Sequence, residues 1–164
     1  MPVISAELRK LFAQTNLMVL PEDYYSVKLP LDVKPIPGEW YRPATTRFAV
    51  FMREPRQISL IVARRKWLRM QNLFDRFEVS GPMKVVSFDT EFAGKVCGYM
   101  ATIGSLLADE ELCAIPISTV GRDHILVNKQ DLPRTVKVLR GFIDKCRKVR
   151  RPVKKQSRGT AARK

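Results

Sequence analysis

Residues Gly98 to Val127 read "GYMATIGSLLADEELCAIPISTVGRDHILV". Val96, Met100, Ile103 and Leu107 recur at helical spacing behind a glycine, which predicts a helix opened at Gly98. Cys113 to Ile117 and Ile125 to Val127 are short apolar runs bounded by turn residues, which predicts a buried strand ending in Ser-Thr and a second strand led by Asp123 and His124. "TVGRD", Thr119 to Asp123, is the tight turn between them. A helix followed by two such strands is the middle of a split βαβ sandwich.

Flanking segments extend the pattern. Phe77, Val79, Met83, Val85 and Ser87 alternate around Gly81-Pro82, a dipeptide expected at a bulge or an edge. Residues 132–146 form the last predicted helix, with Asp131 as N-cap, Pro133 in the first turn and Leu132, Val136, Leu139 and Ile143 facing the core. Upstream, "RFAVFM" and "ISLIV" make a hairpin around Arg53 to Gln57, and Tyr24 to Leu29 is a strand with Tyr25, Val27 and Leu29 on one face. "ARRKW", Ala63 to Trp67, is expected as an exposed edge or loop; Arg64, Arg65 and Lys66 beside Trp67 admit phosphate contact and base stacking, against a solvated connection as the plainer alternative. Near the start, Ser5 is a possible N-cap for a short amphipathic helix over residues 6–13 that buries Leu8, Leu11 and Phe12.

The spacing from Gly98 onward also carries a resemblance. Gly98, Leu107-Ala108, Ile117, Ser118, Thr119, Asp123, His124, Leu126, Val127, Asp131 and Leu132 stand, without a gap, where the small tandem ACT-domain proteins related to the cytosolic arginine sensors carry their helix-opening Gly, their "I-S-T…D-[YFH]-x-L-V" strand pair and their "D-L" helix start. "VSGPM" at Val79 to Met83, the hairpin over residues 47–62 and "PIPGEW" around Pro37 and Trp40 resemble that family more loosely, so that roughly residues 17–144 are covered. The resemblance implies an α+β fold of ferredoxin-like βαββαβ sandwiches in tandem, an antiparallel sheet with helices on one face. The expected division is an N-terminal segment over 1–16, a helix-poor first half over 17–73, a second ACT-like domain over 74–146, and a disordered basic tail over 147–164.

The same resemblance implies a non-enzymatic protein without cofactor that binds an amino acid or similar small ligand and acts through ligand-dependent association, as a homodimer or with a regulatory protein partner. Its expected ligand residues are Gly94, Gly98, Ser118, Thr119 and Asp123: unpaired amides at the Gly98 helix start suit a carboxylate, and Asp123 suits an ammonium or guanidinium. Plainer roles stand beside these. Gly98 also fits a close approach of helix and sheet, Asp123 a cap of its own turn, Ser118 and Thr119 turn formation, and His124 a packed or surface position. The residues after Gly98 are Tyr99, Met100, Ala101 and Thr102, without the acidic group of the arginine-sensing pattern, so arginine specificity is not implied. The chain has about half the length of those sensors and would pair with a copy of itself to match their layout.

Composition agrees with a globular core and isolates one anomaly. The 164 residues are 45% hydrophobic with a formal charge of +14, but nine Lys or Arg and no acid fall in the last eighteen residues, leaving +5 for the preceding 146. That tail is too polar to offset the entropy of ordering. It supports an alternative function, a nucleic-acid or ribonucleoprotein-associated protein binding through Arg147, Lys148, Arg150, Arg151, Lys154 and Lys155, or a nuclear import signal. The unpaired Cys97, Cys113 and Cys146 form no zinc or disulfide pattern, Cys97 and Cys113 are expected to pack as small hydrophobes, and a reducing compartment is implied. Glu7, Arg9 and Lys10 interrupt any signal-peptide core, and no run reaches the roughly 20 apolar residues that span a bilayer. The expected setting is cytoplasmic or nuclear, without membrane. No serine-elbow, phosphate-loop or metal motif points to catalysis.

Overall fold

The computed structural model describes residues 4–33, 47–90 and 96–149. In chain order these give α1 (Ala6–Gln14), β1 (Asn16–Val19), β2 (Tyr24–Leu29), β3 (Val50–Arg53), β4 (Ile58–Ala63), α2 (Arg64–Met70), β5 (Glu78–Asp89), α3 (Tyr99–Ala108), β6 (Ala114–Ser118), β7 (Asp123–Asn128) and α4 (Leu132–Val149). All strands pair antiparallel in one seven-stranded sheet of order β3-β4-β2-β5-β7-β6, with β1 added against β5. This is the α+β, ferredoxin-like arrangement expected.

The twelve-residue β5 organises the sheet. Its first part pairs with β2, Glu78 opposite Lys28 and Val79 opposite Val27, while Met83 to Phe88 pair with β7 and Val86 to Asp89 with β1. Between these parts the register slips at Gly81-Pro82. Gly81 has φ 133, and a Cβ there would lie 2.9 Å from the Tyr24 carbonyl oxygen, so a bulge at this point requires glycine. Beyond it, β5, β6 and β7 with α3 and α4 form one sandwich whose fourth strand, β1, comes from the N-terminal side of the chain.

The helices share one face of the sheet. Val86 and Phe88 of β5 and Ile125 and Val127 of β7 point into a core closed by Leu8, Leu11 and Phe12 of α1, Tyr99, Ile103 and Leu107 of α3, and Leu139, Phe142 and Ile143 of α4. Phe12 is central to it, stacked on Tyr99 with centroids 4.4 Å apart and edge-on to Phe142 at 5.0 Å. The α1 helix forms as its sequence dictates: Ser5 Oγ accepts from the Leu8 amide at 3.1 Å. Under β2 and β4 a second core gathers Val27, Leu29, Leu60, Val62, Trp67 and Phe74. On the opposite face Tyr24, Ile61, Val85 and Leu126 are buried with Phe48 and Met83 packed against them.

Five expectations need correction. "RRKW" is not a loop but the first half of α2, and Trp67 is 1% exposed, stacked on Phe74 at 5.7 Å; Trp67 and Met70 fall on one helical face, so the helix buries the aromatic and leaves the charges out. The Cys113–Ile117 run is not a buried strand: β6 is a sheet edge, and Ile115 is 43% exposed. Thr119 N donates to Arg122 O, so Ile117–His124 is a hydrogen-bonded pair and Pro116–Ile125 is not. Proline nitrogen therefore faces the open edge, where a missing donor costs least and blunts further strand addition. Asp131 lies in a 3-10 turn over Lys129–Asp131 rather than capping α4, and α4 continues to Val149, so Arg147 and Lys148 belong to the helix and not to a tail. Cys97 and Cys113 are exposed, whereas Cys146, on α4, is buried in the core shared with α1.

Candidate functional site

Two of the expected ligand residues, Ser118 and Asp123, meet at one end of the sheet. Ser118, Asp123 and Phe88 are opposite one another across β6, β7 and β5, and Leu17 of β1 continues the row. Because Ile125 and Val127 face the helices, alternation turns Asp123 to the same side, towards the start of α3. Its charge acts on the Tyr99 phenol, which burial first of all, and Asp123 in addition, push above the ordinary range for a tyrosine.

Asp123 is 7% exposed. Among the described residues no cation forms an ion pair with its carboxylate, which leaves it open to a cationic partner. A second polar group sits close by in sequence and register: Thr90 follows β5 directly after Asp89, and its buried hydroxyl has no hydrogen-bond partner among the described residues. Arg122, beside Asp123, reaches back to Asp89 in an ion pair across β7 and β5.

Gly98 opens α3 with φ 91 and no side chain caps the helix. A Cβ at this position would meet only Leu8 Cδ2 at 3.7 Å, so the glycine answers to the backbone conformation rather than to crowding. Thr102 Oγ1 donates back to the Gly98 carbonyl at 2.8 Å. Tyr99 is buried, and its hydroxyl lies 2.9 Å from Thr15 Oγ1, which also donates to the Leu11 carbonyl. The α3 start is thereby fixed to the end of α1.

Ser118 and Thr119 divide. Thr119 Oγ1 accepts from the Arg122 amide at 3.1 Å and contacts its carbonyl oxygen at 2.7 Å, so its hydroxyl belongs to the turn; Ser118 is exposed at the strand end. Gly94 lies outside the described residues. His124 faces away from this site: its Nδ1 is 2.8 Å from Ser87 Oγ and its ring lies edge-on to Phe48 at 5.0 Å. Burial, then the Arg122 cation, hold its pKa below the usual value.

Of the nucleic-acid candidates, Arg147 is engaged internally. Its guanidinium donates to the carbonyls of Ala13 at 3.2 Å and Thr15 at 2.8 Å, and to Asp144. Lys148 is exposed on α4, while Arg150, Arg151, Lys154 and Lys155 lie outside the described residues. Sequence reasoning missed the Asp89–Arg122 pair and the Arg147 clamp; only the sheet register and helix packing bring these groups together.

Residues 78–141, from the start of β5 into α4, match the family model described as ACT domain. No curated protein matches in sequence. Among solved structures, a Vibrio cholerae protein of unknown function, described as a possible transport protein, is similar at TM-score 0.63 and 19% identity, covering 85% of this chain and 99% of its own. An Agrobacterium tumefaciens protein is similar at 0.62 and 21%, covering 79% and 89%. The regulatory subunit of aspartate kinase from Thermus flavus is similar at 0.56 and 8%, covering 79% and 96%. At these identities the likeness establishes the fold. Over residues 78–141, this chain is similar in sequence to ACT domains.

Proposed function

We infer that the chain is a regulatory protein that binds an amino acid or a similar small zwitterion where β5, β7 and the start of α3 meet. The observation that carries this reading is Asp123, a buried carboxylate without a cation among the described residues. Asp123 takes the ligand ammonium. The uncapped first turn of α3 behind Gly98 offers amides to the ligand carboxylate, and Thr90 Oγ1 supplies a further neutral contact. The ACT match over the same elements supports the class of ligand.

The role is regulatory rather than catalytic. The signal passes by altered association with a second copy or with a protein partner. The two halves are read as a tandem that shares β5, the first half reduced to β2, β3, β4 and α2. Thermal unfolding against the twenty amino acids tests the reading: a ligand at a hundred times its Kd adds about 2.7 kcal/mol, and Asp123→Asn removes that gain.

A further inference from the structure

We propose that the outer surface of α4, with the groove it makes against α3, is a docking face for the phosphate backbone of a nucleic acid, separate from the Asp123 site. The helix carries six basic residues against one acidic one. Elsewhere in the described structure several cations are matched: Lys28 with Glu78, Arg65 with Glu22, Arg76 with Asp32, Lys84 and Lys129 with Asp23, and Arg122 with Asp89. On α4, Lys137, Arg140, Lys145 and Lys148 are exposed and have no carboxylate within ion-pairing distance among the described residues. Asp144, the acid of α4, is occupied by Arg147 at 3.1 Å.

Shape supports the charge. Arg134, Lys137, Lys145 and Lys148 are separated by three, eight and three residues, so from first to last they form a row about 21 Å long at 1.5 Å rise per residue. Beside this row runs an open groove of about 430 Å³ between α3 and α4, with Gly141 in its wall. Nothing lies within 4 Å of a Cβ built at Gly141. A strand of phosphates can therefore approach the cations without displacing side chains. Asp109 and Glu110 bound the groove at one end, where Arg134 donates to the Glu110 carbonyl at 3.0 Å.

A linear array of unpaired cations suits a polymer of anions better than one small anion. The face lacks the exposed aromatic or aliphatic anchors on which protein interfaces and lipid insertion depend, apart from Val149 at its far end. The reading does not rest on residues beyond Val149, although their basic sequence would add to the same field.

The test is fluorescence anisotropy of the full chain with labelled duplex RNA and duplex DNA of roughly 20 base pairs across a salt series. The full chain should bind with steep salt dependence. Lys137→Gln, Arg140→Gln and Lys145→Gln combined should weaken binding at least 10-fold near 0.1 M salt and lower the log–log salt slope by about 2 to 3, each neutralised contact removing about 0.9. Unchanged thermal unfolding shows that the variant is folded. Neutralising Arg150, Arg151, Lys154 and Lys155 instead should leave binding that still responds to the helix substitutions. The proposal is overturned if the helix variant binds like the parent, if the parent shows no salt-dependent binding, or if polyglutamate-rich protein binds at least as tightly as nucleic acid. None of these results depends on whether an amino acid binds at Asp123.

Discussion

The Tyr99 hydroxyl lies 2.9 Å from Thr15 Oγ1, both buried, although the two residues are 84 positions apart. The pair joins the first residue of α3 to the cap of α1, directly beneath the candidate ligand site. Phe12 stacked on the Tyr99 ring completes the same contact. Tyr99→Phe keeps the ring and removes one bond, while Thr15 retains its bond to Leu11. It should lower stability by about 1 kcal/mol, read as a lower urea midpoint with an unchanged slope; no change in midpoint would show that the bond contributes nothing.

Gly98 holds φ 91 with 3.7 Å to its nearest prospective neighbour. Gly98→Ala should therefore cost about 1–2 kcal/mol through backbone strain alone. Leu8→Ala in the same chain should not recover the loss, because sterics are not its source. Recovery in the double variant, measured by thermal unfolding, would contradict the conformational account.

The Arg147 guanidinium satisfies carbonyls at the end of α1 that the helix leaves unpaired. Arg147→Ala should destabilise by about 1 kcal/mol, reduced from the value for buried charged bonds by its exposure. Lys148→Ala, one residue on and without such contacts, should fall within about 0.5 kcal/mol of the parent. Equal effects of the two substitutions in denaturant titrations would remove the clamp.

His124 is held below its ordinary pKa by burial and then by Arg122. The folded state thus prefers the neutral ring, and the unfolded chain takes up the proton first as pH falls. The contribution to stability is complete above the unfolded value of about 6.5 and is lost as pH drops below it towards the folded pKa. Parent stability should fall between pH 7 and pH 5 by more than that of His124→Gln, which also retains a donor for Ser87. Parallel pH profiles for the two proteins would show that His124 does not set this dependence.

The sequence made some of this legible for clear physical reasons. Ser5 with Leu8, Leu11 and Phe12 specifies α1, and the glycine-led apolar period specifies α3, because caps and helical spacing are local signals. The two strands around "TVGRD" were equally plain, but burial was not: β6 has the composition of an interior strand and becomes an edge only through the sheet order. Trp67 was misplaced because three consecutive cations conceal a short helix whose buried face needs only Trp67 and Met70. Four-residue β1 gains its meaning from β5, and a sequence pattern of that length carries almost no information. Asp123 was identifiable as a residue type at a strand head, whereas its burial, Thr90 beside it and the loss of Arg147 to an internal role arise from packing across distant segments.

Thermal unfolding of the full chain and of Asp123→Asn, each with the twenty amino acids in turn, tests the central claim most directly. The account predicts that at least one amino acid raises the melting temperature of the parent selectively and that the Asp123→Asn protein, folded without ligand, loses that response. A parent indifferent to every amino acid, or a response that survives Asp123→Asn intact, would contradict a ligand ammonium held at Asp123.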